Sequence, residues 1–558
     1  MCINRATFAV AIWLFSVSFA GAHLGEEHPE GGHDYFPDFP TSPLDDQIYF
    51  REVLEVNGAR DIEEIPDGSG RFLAVRGINH VKLTSFSISF PRHYLTSGQE
   101  DIGKSEGATS VALHPGFAIE GDPGYGKFYT STIDFDLTAK VDFESTNPDS
   151  FSHYVITEWT QEDITQNRFQ GTSRELMRFD EGSVFHNLNH LLFGPDGYLY
   201  VALGEDTRGR QSADIASVYG KILRIDPMGN NSANGEYGIP PDNPFVSHPT
   251  AAPEVFATGL RNPWRIAFDR ELETMYAFDV GWESIEEVSL IEAGRNYGWP
   301  AKEGSFLTAT EVTPDEADPT TGLTLAEQHD LVDPIFELDH TDTNSIIGGI
   351  VYRGERFPDL QGKVIFGSWN TFDLYAGDPD TKEAEIFVEG SRLKEFLNGK
   401  SFSSINEDLD GEIYLVGGDS IAVLFAEPDF DGSGSFDLPD IHELCSAFGS
   451  ESSKYDLNGD FNVDMDDVDE FLSFAGSLRG DTDLNGVVNF IDFIRLAESF
   501  GSDSATWFMG DSDCDGHVRF TDFLAIATNF GKSQVDTQSV PEAYMTLWMI
   551  FVLSLIHI

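Results

Sequence analysis

A chain of 558 residues is too long for one ordinary core, so two or more domains are expected. Its 95 acidic against 34 basic residues give a formal charge of -61, which repels nucleic acid and anionic membranes. Aromatic residues at 13% exclude a chain that is disordered throughout.

The first 22 residues, MCINRATFAVAIWLFSVSFAGA, read as a secretory signal. Arg5 supplies the positive region, Phe8 to Phe19 are mostly apolar, and Ala20-Gly21-Ala22 offers a cleavage site. The apolar run is short for a membrane span. A chain secreted to the medium, the cell surface or the periplasm is expected, with cleavage near Ala22 and a linker over 23–48. The mature chain then keeps Cys445 and Cys514, whose pairing the sequence leaves open.

From Tyr49 to Glu427 short β-rich runs alternate with turns: RFLAVRG, KFYTSTIDF, GYLYVALGE, ETMYAFDV, GKVIFGSW and GEIYLVGG. GPDGYLYVAL (194–203) and DLDGEIYLVG (408–417) are one device in two places, an Asp-Gly turn leading into a strand. YLYVAL alternates as a half-buried strand does. Many short strands over this length predict an all-β propeller, with six blades over 49–427.

Four stretches carry a resemblance. HNLNHLLFGPDGYLYVALGE (186–205), YGKILRIDP (219–227), YGIPPDNPF (237–245) and the pair GLRNPWRIAFD and DVGWESIEEVSLIEAGRNYGWP (259–300) stand in one order. In that order they resemble the soluble quinoprotein glucose/sorbosone (aldose sugar) dehydrogenases. The hedgehog-interacting-protein propellers share that fold. The resemblance implies six blades, pyrroloquinoline quinone (PQQ), calcium and hydride transfer from the anomeric carbon of an aldose to the quinone. A small sugar substrate and an external electron acceptor follow.

That chemistry needs a base that titrates near neutrality, which favours histidine. By resemblance the base is His186, and Glu205 holds its ring and stabilises its cation. Arg261 and Asn262 stand where the family places a guanidinium and an amide beside the quinone oxygen. The carbonyls of Gly281 and Trp282 stand where it places backbone ligands to calcium, a Lewis acid. Tyr297 and Trp299 read as packing. Taken singly each residue has a plainer role: a packed rim histidine, an arginine tying a blade turn, a glutamate bonding an amide. The sequence departs from the family at Asn370 and Thr371, where a lysine is expected, and at Ser401, Ser403 and Asn406, where arginines are expected. Leu188-Asn189 replaces a Gly-Gly-like pair. The alternative reading is a non-catalytic extracellular propeller, of the hedgehog-interacting-protein type, that binds carbohydrate or protein.

After Pro428 four acidic segments recur, each followed by a short amphipathic helix: DIHELCSAFG, DVDEFLSFAG, DFIRLAESFG and DFLAIATNFG. A twelve-residue calcium loop supplies oxygens from positions 1, 3, 5, 7, 9 and 12. The first loop offers Asp429, Asp431, Ser433, Asp437 and Asp440. The second offers Asp456, Asn458, Asp460, Asp464 and Asp467, with Phe461 where glycine is preferred. The third offers Asp481, Asp483, Asn485, Asn489 and Asp492, and the fourth Asp511, Asp513, Asp515 and Asp522. Aspartate at position 12, with no helix before each loop, resembles dockerin repeats: an EF-hand-like helical region of one pair over 428–477 and another over 478–533. A cohesin-like or cell-surface partner is implied. The bland alternative is an acidic, solvated linker. Residues 534–558 resemble a PEP-CTERM sorting tail without its basic end.

Overall fold

Turns written in the sequence set the strand spacing. Gly197 and Gly411 adopt φ of 78° and 87°, a left-handed conformation open to glycine, and lead into Leu199–Leu203 and Ile413–Gly417. The computed structural model describes residues 39–533 apart from short stretches, the longest being 88–99 and 308–330. The signal segment and the C-terminal tail lie outside the described residues. Among the described residues no helix is long and apolar enough to cross a membrane.

The strands form six four-stranded antiparallel sheets and one small hairpin. The first strands of the sheets are Ala59–Glu64, Ala108–Leu113, Leu188–Phe193, Pro263–Phe268, Ile346–Val351 and Phe402–Glu407. They neighbour one another in a closed ring, the arrangement of an all-β propeller. One sheet joins the two ends of this region, since Ile48–Glu55 pairs with Ser420–Ala426. Leu199–Leu203 was expected to be half-buried and is instead buried along its whole length. Adjacent sheets cover both its faces: Val201 packs in one apolar cluster with Ile156 and Leu223, and Tyr200 in another with Ile266 and Ala277.

Near the ring's axis the inner strands are joined by polar side chains. Asp61 accepts hydrogen bonds from Arg265 at 2.7 Å, Asn406 at 2.7 Å, Ser110 at 2.7 Å and the Val111 amide at 3.1 Å. Ser110 also accepts from the Leu191 amide at 3.1 Å. One carboxylate thus links strands from several sheets, and it is fully satisfied, as a buried charge must be.

The C-terminal segments form helices Leu438–Ser446, Met465–Phe474, Phe490–Ser499 and Phe520–Asn529. Each starts where the twelfth loop residue caps it: Asp440, Asp467, Asp492 and Asp522 accept the amides of residues 437, 464, 489 and 519 at 2.7–3.0 Å. The first two helices share one apolar core with Trp507, and the last two share another. Cys445 and Cys514 are disulfide-bonded across 69 residues. Reduction is expected to lower the stability of this region by about 2–4 kcal/mol, because the released loop regains chain entropy. Calorimetry with and without reductant checks this; an unchanged helical transition contradicts it.

Among the described residues three carboxylates converge in the first, third and fourth loops, whereas the second carries an amide, Asn458, where those loops carry Asp431, Asp483 and Asp513. The second loop also touches the propeller. Arg356 stands 3.9 Å from Asp456 and donates to the Ser453 carbonyl at 3.0 Å. Arg51 donates to the Asn458 carbonyl at 2.9 Å and pairs with Glu470. Phe461, at φ 66°, packs against the apolar cluster of Phe72 and Val423. A protein guanidinium thus sits beside the loop's first acidic residue, and the loop is in contact with the propeller.

Candidate functional site

The site is assembled at one end of the strand ring. Leu188–Phe193 and Pro263–Phe268 begin there, Leu199–Leu203 ends there, and Met275–Asp279 turns there into Ile285–Ile291. Antiparallel pairing brings His186, Glu205, Arg261, Asn262, Gly281 and Trp282 to that same end. The loops that carry Arg356 and Glu412 connect strands at the opposite end. The second acidic loop docks there, with Ser453 donating to Glu412 at 2.6 Å.

His186 is 6% exposed, and its Nδ1 lies 3.8 Å from Glu205 Oε1. That is beyond hydrogen-bond length, and it is the Glu205 backbone that the ring contacts. Burial pushes the imidazole well below the ordinary histidine range; the Arg261 charge adds to this, and a contact with the Glu205 backbone only partly opposes it. Burial and the neighbouring guanidinium thus favour the uncharged imidazole. Gly204 permits the close approach. A Cβ there would stand 2.7 Å from Asn262 Oδ1 and 2.8 Å from His186 Cβ.

Arg261 and Asn262 are held by a residue the sequence reading passed over. Both their amides donate to Asp279, at 2.8 and 2.5 Å. Burial pushes that carboxyl up, and the two amides oppose the shift. Arg261 donates to the Val280 carbonyl at 2.9 Å, and its guanidinium lies 5.6 Å from the centre of the Trp299 ring. Trp299 stands edge-on to Trp282, 5.8 Å between centroids. Trp299 thus packs beside the guanidinium. Asn189 donates to Asn262 Oδ1 at 2.8 Å, which gives the Leu188-Asn189 replacement a role in orienting that amide.

The loop of Gly281 and Trp282 wraps around another carboxylate. Glu303 Oε1 accepts the amides of Trp282, Glu283, Ser284 and Ile285 at 2.6, 2.8, 3.0 and 3.3 Å. In a trans peptide the carbonyl points opposite to the following amide, so the Gly281 and Trp282 carbonyls are turned away from Glu303. Two outward carbonyls beside a guanidinium suit a hard cation carrying an anionic ligand. Glu286 supports the same loop: it accepts the Gly281 amide at 3.2 Å and bonds His340 at 2.6 Å. The signal that could have found Glu303 is its place three residues beyond NYGWP.

The positions that depart from the family's cations are committed to the fold. Asn370 accepts from Thr343 at 3.2 Å and from the Asn344 amide at 3.0 Å. Ser403 donates to the Val416 carbonyl at 3.1 Å, and Asn406 donates to Asp61. Arg392, close by in sequence, is paired with Asp45 at 2.9 Å. Arg261 is the cation that meets His186.

In the helical region carboxylate oxygens converge three times, from Asp429, Asp431 and Asp440, from Asp481, Asp483 and Asp492, and from Asp511, Asp513 and Asp522, within 4.8 Å in each set. Asp511 is buried, and its Oδ1 has no hydrogen-bond donor among the described residues. Burial raises Asp511 to about 6; the Gly516 amide opposes this, and Asp522, Asp513 and Asp515 add to it. This donor set suits a hard cation bound by oxygens.

Comparison with known proteins gives the chain its relatives. The family model described as glucose/sorbosone dehydrogenase matches residues 143–424. HIPL1 protein of Arabidopsis thaliana is 31% identical over 320 residues, 50% of this chain and 45% of that one. Aldose sugar dehydrogenase YliI of Escherichia coli (strain K12) is 26% identical over 254 residues, 44% of this chain and 61% of that one. The match therefore spans about half the length of these curated relatives. The crystal structure of the soluble aldose sugar dehydrogenase from Escherichia coli in its apo form shares the fold, with a TM-score of 0.50 at 18% identity, over 68% of this chain and 99% of that one.

Proposed function

The chain belongs to the glucose/sorbosone dehydrogenase family, and from that premise we propose that it is an exported quinoprotein that oxidises an aldose at its anomeric carbon. The observation that carries this reading is a buried His186 beside Arg261 at the mouth of the propeller. PQQ bound at this mouth would supply the hydride acceptor. His186 takes the sugar hydroxyl proton on Nε2, since Nδ1 is turned toward Glu205, and Glu205 stabilises the cation that forms. Arg261 and Asn262 face the developing negative charge. The Gly281 and Trp282 carbonyls would hold calcium. Electrons leave to an external acceptor, and the six sheets act as six blades.

The test uses the purified full chain with calcium and PQQ. A retained quinone absorbance and dye reduction on addition of aldoses are expected. No retained PQQ at saturating calcium overturns the reading. A second reading, a propeller that binds without catalysing, is favoured by the commitment of Asn370, Ser403 and Asn406 to the fold.

The helical region reads as a calcium-loaded, dockerin-like module that holds the propeller at a cell surface or on a cohesin-like partner. Three carboxylate clusters and the orphaned Asp511 oxygen support calcium. Calcium titration of the full chain without PQQ is expected to saturate near three ions, and chelator is expected to lower the melting of residues 427–533. A titration with no heat and no change in helix signal rejects these sites.

A further inference from the structure

Four consecutive amides converge on one oxygen of Glu303, a side chain 6% exposed. Backbone amides usually spend themselves on ladders or on separate acceptors. Here a whole turn is wound around a carboxylate that the chain supplies from 18 to 21 residues away. Gly281 is required at the start of this turn, because a Cβ would collide with the Ile285 carbonyl. The turn is also gripped from its far side, where Glu286 accepts the Gly281 amide and the Ile346 amide at 3.2 and 2.8 Å. Glu303 itself stands on a short hairpin, Lys302–Glu303 paired with Phe306–Leu307. The next amide, Gly304, is fixed to Glu287 at 2.5 Å.

We infer that Glu303 is a positioning residue that presets the Gly281 and Trp282 carbonyls as a pair of outward cation ligands. The inference rests on the quinoprotein reading for what the pair would hold. The physical reason is the peptide geometry already given: fixing the amides of Trp282 and Glu283 fixes the direction of the two carbonyls before them. Two carbonyls aimed in advance bind a hard cation without the cost of ordering a loop. Without the carboxylate, four amides lose their acceptor, and the turn relaxes toward other acceptors and solvent.

Two measurements on the full chain test this. The first is amide hydrogen exchange in the protein without PQQ. Glu303→Ala is expected to speed exchange at residues 282–285 while the inner strands keep their protection, and Glu303→Gln, which keeps an acceptor oxygen, is expected to fall between. Unchanged protection at 282–285 in Glu303→Ala overturns the clamp. The second is the calcium concentration at which half of the PQQ absorbance is retained after gel filtration, a binding readout that needs no turnover. Removing a residue that orients ligands typically costs about 10–100-fold in metal affinity. The midpoint is expected to rise by about that factor in Glu303→Ala and by less in Glu303→Gln. A midpoint equal to wild type, with protection at 282–285 lost, overturns the positioning role. If Glu303→Ala does not fold, Glu303→Gln decides by both measurements. A wild-type chain that retains no PQQ sinks the quinoprotein reading instead, and the exchange measurement still decides whether Glu303 sets the turn.

Discussion

Replacing His186 with alanine is expected to cut dye reduction by about 100- to 10,000-fold while PQQ is still retained, because the substitution removes a general base and leaves the metal and anion contacts in place. The separation of the two effects is the point. Arg261 is anchored by Asp279, Val280 and Trp299, and the Gly281 turn by Glu303; none of these anchors involves the imidazole. The wild-type acid limb is also informative. Burial and the Arg261 charge push His186 well below the ordinary value of about 6.5. Its neutral form therefore persists in mildly acidic solution, and kcat/KM should hold as pH falls through 6.5 and drop only below it. Unchanged dye reduction in His186→Ala, or loss of PQQ together with activity, would remove the imidazole from the role of base.

The second large effect is on stability. Asp61→Ala leaves Arg265 buried with its principal partner gone, and stranding one member of a buried pair typically costs about 3–5 kcal/mol. Here the loss also strips acceptors from Asn406, Ser110 and the Val111 amide, so the cost should lie toward the upper end. Burial alone would raise Asp61, but Arg265, His190, Ser110 and Asn406 outweigh it and hold the carboxyl below its usual range. A carboxyl lowered on folding stabilises above its unfolded value of about 3.9, and that contribution is lost as pH falls through the folded value. The gap between variant and wild type should therefore narrow in strong acid. The double variant Asp61→Ala, Arg265→Met should recover part of the loss, since no charge is then stranded. Denaturant unfolding at neutral and acidic pH measures all three, and a cost under about 1 kcal/mol for Asp61→Ala would contradict this account of the axis.

What could be read from the sequence divides along physical lines. Gly197 and Gly411 announced their turns because only local geometry is at stake there. His186, Arg261 and Gly281 could be read together because each sits in a stretch that carries the resemblance to the glucose/sorbosone dehydrogenases. Phe461 is legible as a departure, since a large side chain stands where a calcium loop turns on glycine. Its destination, a cluster with Phe72 and Val423, depends on the tertiary fold and left no local trace. The same holds for Arg265 with Asp61, 204 residues apart, and for Arg356 with Asp456. The burial of YLYVAL was misjudged because tyrosine and alanine at alternate positions look solvent-facing until a second sheet covers them.

Ser453, Arg356 and Arg51 fasten the acidic helices to the floor of the ring, while His186 opens at its ceiling. Anything that grips those helices therefore carries the propeller like a cup held from beneath.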